Sequence, residues 1–460
     1  MAFSLSKTQF QLFEECPVAL WLERFHPEWL PPPDANELAA QQKGNEVDAA
    51  ARGLWPGGRL LTGGWEATRA ALAGDDQVFF QPLVAAEQEG LLCRADVLCR
   101  EGAVWDIWEV KASKRVKEEH YHDVGFQFHC LERAGLPVGL TRIVHLNGDY
   151  VRRGEIDLAE LFTVVDITRG MKTRLPALKR RIHRALDFTG RWRGSAKTDD
   201  VLKLCTDAAK CPWSAALRRG LAGEPVPVAH PPAVASPERA YLTDEARLRR
   251  FLGDLRYPLH YFDYETYDPA IPWYDGYRPY EFIPFQFSLD IVPAPGAPPE
   301  HHEFLAMADA DPVPELVRHL QAWTRPTGSF LAWFAPFEKG RNEEMACRYP
   351  QAAAFLRDVN RRMADLMVPF RKKGGMVHHP DSNGSASLKV ITPLLVGDRY
   401  AQLRIREGGA AMSAWPQLIG RAPLDGDRGK LQRDMLAYCA VDTMNLVEIH
   451  DWLRRRLVEK

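Results

Sequence analysis

The stretch "LHYFDYETYD", residues 259–268, sets two carboxylates, Asp263 and Glu265, one residue apart in a strand-like run of aromatics. In an extended strand residues i and i+2 share a face, so the two acids lie side by side while Phe262 and Tyr264 point away. Adjacent like charges repel unless a cation sits between them, and a hard divalent ion suits carboxylate oxygens. Such a pair also occurs on harmless edge strands, so its partners must come from elsewhere in the chain. "AYCAVDTMN" carries Tyr438 and Asp442, four apart and stacked on one helix face. That spacing sets a metal ligand beside a hydroxyl able to orient an attacking water. Between the two motifs, "SFLAWFAPFEKGRNEE" reads as an apolar strand running into a turn that presents Glu338. Asp365, in "RRMADLMVPF", is an acid in reserve.

A second constellation lies upstream. "GLLCRADVLCREGAVWDIWEVKAS" alternates, turns at Glu101–Gly102 and alternates again, which predicts a β-hairpin. Residues whose numbers sum to about 205 then face one another, pairing Asp96 with Glu109, and Lys111 shares the face of Glu109. Two acids and an ammonium on one sheet face fit a bound cation with a lysine steadying water or a phosphate oxygen. The alternative is a surface salt bridge.

These residues need a scaffold. At roughly 100–200 residues per domain, a 460-residue chain predicts two or three domains. A Pro-rich stretch, 222–240, predicts a linker between a domain at 1–221 and another at 241–460. In the first, "SKTQFQLFEECPVALWLERF" predicts a helix capped by Ser6, "QKGNEVDAAARGLW" a second, and "HYHDVGFQFHCLERAG" a third ending at Gly135. The second domain predicts strands at 259–266 and 283–292, helix 313–323, strand 328–334, helix 338–367 and a long helix from Lys430. Strands alternating with helices make both halves α/β. A net charge of −2 means that a nucleic-acid partner must be met by local basic patches. No run approaches the ~20 apolar residues of a membrane span, and the N-terminus lacks the pattern of a signal peptide. Eight cysteines in a chain of this length point to a reducing, cytoplasmic setting.

"RADVLCREGAVWDIWEVKAS" resembles the PD-(D/E)XK nuclease core in its RecB-like branch. Asp96 takes the first acidic position, and Glu109 and Lys111 form the E-x-K. "GNEVDAAAR" places Asp48 where that branch carries a histidine, and Gln127 matches its helical glutamine. Residues 255–460 resemble the DEDDy branch of the DnaQ-like 3′–5′ exonucleases, which have a ribonuclease H-like fold. Asp263 and Glu265 match its first motif, Glu338 stands at its second, and Tyr438 and Asp442 match its third. The second motif departs from the usual Asn-x-x-Phe-Asp, with Phe334 for asparagine and Glu338 for aspartate. Both halves together are similar to an uncharacterised prokaryotic family that fuses the two nuclease types.

The resemblance implies two sites for Mg²⁺ or Mn²⁺, with Asp48, Asp96 and Glu109 as ligands at one and Asp263, Glu265, Glu338 and Asp442 at the other. It also implies a [4Fe–4S] cluster on Cys16, Cys205 and Cys211, with Leu217 where the last cysteine would stand and no fourth ligand identified. Cys93, Cys99, Cys130, Cys347 and Cys439 read as core packing. Lys179, Arg180, Arg181, Arg184, Arg191 and Arg193 form a basic run, either a phosphate-binding patch or a solvated helix face. The aromatics from Tyr267 to Phe287 read chiefly as loop packing, with base stacking the alternative. The paired histidines 301, 302, 378 and 379 read as surface residues. The expected function is metal-dependent hydrolysis of DNA at ends or in single strands, in repair or antiviral defence. An RNA-directed 3′–5′ exonuclease and a catalytically retired nucleic-acid-binding scaffold are the alternatives.

Overall fold

The computed structural model describes residues 5–191, 201, 204–205, 211–224 and 236–458. The chain divides into two compact units, Met1–Val228 with Ala270–Pro279, and Ala229–Pro269 with Tyr280–Lys460. Both are α/β with mixed sheets. Residues 270–279 thus group with the first unit, where a single cut at 222–240 places them in the second. Arg152 explains the grouping: its backbone exchanges hydrogen bonds with Tyr277 (3.0 Å) and Gly276 (2.9 Å), and its guanidinium donates to the carbonyls of Pro272 (3.1 Å) and Trp273 (2.5 Å). The prolines of the linker from 225 to 232 lie outside the described residues. Among those described, no helix is long and apolar enough to cross a membrane.

The first unit opens with strand β1 (Leu5–Ser6) and helix α1 (Lys7–Glu15), whose N-cap Ser6 and Gln9 form a reciprocal capping box. The helix stops at Cys16, which Pro17 pushes into extended backbone, and α2 (Pro17–Phe25) begins anew. The single helix expected over this stretch is therefore two. Helix α3 (Ala35–Ala51), strand β2 (Arg59–Leu60), helix α4 (Trp65–Leu72) and strands β3 (Val78–Phe80) and β4 (Leu83–Ala86) follow. The expected hairpin strand splits into β5 (Leu91–Arg94) and β6 (Val97–Glu101), because β5 leaves to pair with β1 and β4. Gly102, at φ 60, makes the turn into β7 (Val104–Lys111). Val97 then faces Trp108 and Leu98 faces Ile107, the register predicted from the turn. Helix α5 (Glu118–Arg133) crosses to β8 (Val138–Leu146), parallel to β7, and α6 (Leu158–Leu161) precedes β9 (Phe162–Asp166). Helix α7 (Thr168–Arg191) packs on α5 over a core that includes Val124, Leu131, Met171, Leu178 and Ile182. Helix α8 (Pro212–Ala222) packs against α2.

The second unit carries a five-stranded sheet in the spatial order Glu300–Leu305, Ile283–Val292, Leu259–Tyr267, Ser329–Ala332, Met363–Asp365. After β10 (Tyr241–Leu242) and α9 (Glu245–Gly253), strands β11 (Leu259–Tyr267), β12 (Ile283–Val292) and β13 (Glu300–Leu305) run antiparallel. Helix α10 (Val313–Trp323) leads to β14 (Ser329–Ala332), parallel to β11. The long helix expected at 338–367 is instead α11 (Ala335–Arg348), a break at Pro350, α12 (Ala353–Arg362) and strand β15 (Met363–Asp365). Proline interrupts the hydrogen-bond ladder, and pairing with β14 converts Met363–Asp365 to strand. Beyond β16 (Val377–His378) come α13 (Leu388–Leu395), α14 (Gly408–Leu418) and α15 (Arg428–Val458).

Three polar contacts rivet α15 to β12. Gln286 donates to the Met435 carbonyl (2.9 Å), Ser288 meets Thr443 (2.7 Å), and Thr443 donates to the buried Asp290 (2.6 Å). Opposite β12 on the same face stand Glu265 and Asp263, in register with Gln286 and Ser288. The ladder therefore delivers both strand acids beneath the helix that bears Asp442.

Asp290 also binds His301, at 3.0 Å from Nδ1, with Glu303 at 3.3 Å from Nε2. These bonds, the one to Asp290 above all, raise the His301 imidazole to about 9. A histidine raised in the fold contributes stability that is complete below its unfolded value of about 6.5 and lost as pH rises through its folded value. Denaturation midpoints should fall between about pH 6 and pH 9.5, and His301→Gln should flatten that slope. Reading these histidines as surface groups holds for the exposed His301 and His378 and fails for His379, which is buried and bonds Ser236.

Candidate active sites

Helix α3, the β3–β4 turn and the β6–β7 hairpin of the first unit converge on a cleft of about 640 Å³, lined by Asp48, Gln81, Asp96, Glu109 and Lys111. Asp96, just before β6, accepts the backbone N–H of Val110 at 2.8 Å, which pins it across the hairpin from Glu109. Glu109 is buried and fully engaged. It accepts from Lys7 (2.7 Å), Lys111 (2.9 Å) and Gln127 (2.5 Å), and Lys111 also donates to Asp123 at 2.6 Å. Gln127 and Asp123 stand four apart on α5, so one helix face serves both bonds.

The charges here oppose one another. Burial works against ionising Glu109, but the ammonium groups of Lys111 and Lys7 overcome it and hold its carboxyl well below the ordinary range. Asp96 is pushed the other way: burial, then the charge of Glu109, outweighs Lys7 and the Val110 N–H and raises it to about 7. Asp48 is paired with Arg52.

Gln81 joins the two outer acids, its Nε2 lying 3.2 Å from both Asp48 Oδ1 and Asp96 Oδ1. Its backbone is left-handed, with φ 55, a conformation a non-glycine residue holds only where its surroundings fix it. Gln81→Gly should therefore recover backbone strain yet lose the bridge. Its urea midpoint should change little, while Mn²⁺ affinity measured by calorimetry should fall about tenfold, the order expected for a residue that orients ligands.

The second unit gathers four carboxylates from three distant segments. Asp263 and Glu265 come from β11, Asp442 from α15 and Glu338 from the first turn of α11, and the last three are buried. Burial is the largest influence on each and raises each carboxyl. Next comes Asp442 for Asp263, and Asp263 for both Glu265 and Glu338. Asp442 rises only to about 6, against burial, because Tyr400 donates to its Oδ1 and Lys389 lies near. Lys389 packs over the rings of Tyr438 (5.3 Å) and Tyr400 (5.8 Å). The Lys389 ammonium faces Asp442, Glu265 and Asp263, with Glu407 as a fourth acid, while Arg341 is the cation acting on Glu338.

Ligand atoms of Asp263, Glu265 and Cys439 fall within 4.8 Å of one another, so Cys439 sits at the acidic pocket instead of in packing alone. Cys347 is exposed, which corrects its placement in the core. Gly408 opens α14 beside the pocket, where an added Cβ would lie 3.8 Å from the Tyr438 hydroxyl and 4.0 Å from Glu265 Oε2. Asp365 is occupied elsewhere, accepting from the N–H groups of Phe334 and Met367 (both 3.0 Å) and from Arg371 (2.6 Å). It braces the β14–α11 turn and is not a fourth ligand.

Residues 260–387 match a family model described as a domain of unknown function, DUF2779. The match spans Asp263, Glu265 and Glu338 and ends before Lys389, Tyr438 and Asp442. No curated protein matches the chain.

The remaining expected site residues divide. Cys16, Cys205 and Cys211 converge, with their sulfurs all within 4.8 Å. Arg180, Arg184 and Arg191 are exposed along α7, whereas Lys179 pairs with Glu132 (3.8 Å) and Arg181 with Glu14 (2.5 Å). Arg193 lies outside the described residues. Tyr267, Tyr277, Phe285 and Phe287 are buried, as loop and core packing require.

Lys7, Gln81, Asp123 and Tyr400 escaped the sequence reading.

Proposed function

We propose that the chain is a divalent-metal-dependent nuclease with two acidic centres, a RecB-like PD-(D/E)XK one in the first unit and a DEDDy-type, ribonuclease H-like one in the second. DNA ends or single strands are the proposed substrates. The observation that carries this reading is the convergence of Asp263, Glu265 and Asp442 on Lys389, with Glu338 coupled to Asp263 and Glu265.

Oxygen donors in this number fit Mg²⁺ or Mn²⁺. Glu338 Oε2 is buried with no hydrogen-bond partner among the described residues, an orphan acceptor that a hard cation would satisfy. Asp263, Glu265, Glu338 and Asp442 would hold the ions in the second unit, and Asp48, Asp96 and Glu109 in the first. Bound there, such ions activate water and stabilise the developing charge on a phosphodiester. The chain supplies the rest. The Tyr438 hydroxyl, held between Gly408 and Asp442, would orient water, and Lys389 would place a positive charge beside the acids. In the first unit Lys111, fixed by Glu109 and Asp123, would present its ammonium toward a phosphate oxygen. Hydrolysis would then proceed in one step, with no protein nucleophile.

One observation favours a second reading for the first unit alone. Glu109 and Asp48 are already neutralised by Lys7, Lys111 and Arg52, so this cleft stands without an ion and could serve as a binding scaffold.

End-labelled DNA and RNA oligonucleotides incubated with Mn²⁺ test both. Wild type should degrade DNA, Asp263→Ala should lose stepwise 3′-end release, and Asp96→Ala should lose the remaining cleavage. Equal product patterns for wild type and the double variant would remove catalysis and leave binding.

A further inference from the structure

We propose that Cys16, Cys205 and Cys211 bind one thiophilic divalent ion, zinc, which staples α2 to α8 and fixes the helix carrying Lys7. This site stands independently of the nuclease reading.

Three thiols gather here from positions 16, 205 and 211. The Cys16 and Cys211 sulfurs are 4.0 Å apart, and all three lie within 4.8 Å of one another. Two thiolates on one tetrahedral zinc, each at about 2.3 Å, stand ~3.8 Å apart. In an iron–sulfur cube each thiolate binds a different iron and radiates from its own corner, which spreads the ligand sulfurs further. The observed spacing therefore suits a single ion and disagrees with the [4Fe–4S] cluster. Leu217, where a fourth cysteine would be needed, is wholly buried among Val18, Trp21 and Ala216. Among the described residues no further histidine, cysteine or carboxylate joins the three sulfurs. The fourth position would fall to water.

The local backbone favours thiolates at this point. Cys16 is the N-cap of α2 and Cys211 the N-cap of α8, each followed by proline in the first turn. Two helix N-termini thus bring their positive dipole ends to one place, where an anionic sulfur gains from both. Binding would release the thiol protons and convert three buried or half-buried sulfurs into ligands. The same Cys16 ends α1, whose first residue is Lys7. An ion at Cys16 therefore holds one end of a rigid nine-residue helix whose other end donates to Glu109 at 2.7 Å.

Metal analysis of the full-length protein, purified without added metal, should find about one zinc per chain. Cys16→Ser and Cys211→Ser should lose it, and the exposed Cys347→Ser should keep it. Because the first two variants could misfold, wild type exchanged with Co²⁺ provides an independent reading. It should gain a sulfur-to-cobalt charge-transfer band and the intense visible bands of a tetrahedral ion. Chelation should then speed amide hydrogen exchange across residues 7–25 and 212–222. A brown protein with iron and acid-labile sulfide, or zinc-free protein that also fails to take up Co²⁺, would overturn the site. Unchanged exchange after chelation would overturn the staple.

Discussion

Asp263→Asn is expected to abolish metal-dependent 3′-end release while raising the melting temperature of the metal-free protein. The two effects share one cause. Asp263 is held in a pocket where burial and the charge of Asp442 both oppose its ionisation. Asparagine keeps the shape and removes a charge that the apo fold accommodates badly, so the metal-free unit should gain stability. Each kcal/mol gained would appear as about 2–4 °C in Tm for a unit of this size. The same change deletes a hard ligand. Losing a Lewis acid worth several kcal/mol, at tenfold per ~1.4 kcal/mol, should lower kcat by ~10³-fold or more. Calorimetric scans with and without Mn²⁺ check the sign, because the ion should stabilise wild type and lose its effect on the variant. A residue with a merely structural role would give the opposite result, a fall in Tm.

Glu109→Ala should reverse the stability sign. Here the carboxylate is the hub of a buried cluster, and its removal strands the ammonium of Lys7 and the amide of Gln127 and leaves Lys111 with Asp123 alone. Breaking a buried ion pair from one side costs about 3–5 kcal/mol, enough to lower the urea midpoint of the first unit markedly. Cleavage assigned to that unit should disappear too. Lys7→Met in the same background should recover part of the stability by withdrawing one stranded charge, with no recovery of cleavage. The two acidic centres thus differ in kind: one is balanced by the chain's own cations, the other is left in deficit.

What the sequence disclosed follows from the range of the interactions. The hairpin register was legible because the Glu101–Gly102 turn and the alternation on both sides are local, and Val97 does face Trp108. The Ser6 cap and helix Val313–Trp323 were legible for the same reason. Asp263 and Glu265 announced themselves by spacing, and Tyr438 and Asp442 by one helical turn. Lys7 could not be found this way, since it reaches Glu109 across 102 positions from a helix that reads as ordinary and amphipathic. Gln81 works through a left-handed backbone that no glycine or asparagine signals, and Tyr400 acts from a short turn 42 positions before Asp442. The error at 338–367 has a related origin. Met363–Asp365 carries helix-compatible residues and becomes strand only through its parallel neighbour. Residues 270–279 were assigned to the second half because contiguity in sequence was the only guide, whereas the bonds of Arg152 decide otherwise.

Phe334 carries a last consequence. It caps α11 in the left-handed region, at φ 65 and ψ 55, and 47% of its surface is exposed. Left-handed backbone costs an ordinary residue roughly 1–2 kcal/mol, while asparagine and glycine enter it readily. The turn is therefore a stability reserve within reach of one substitution, since exchanging the ring for asparagine disturbs little buried contact. On the nuclease reading the ring also has a use. An uncovered aromatic face one helical turn from Glu338 is a bookend against which the terminal base of a strand can rest.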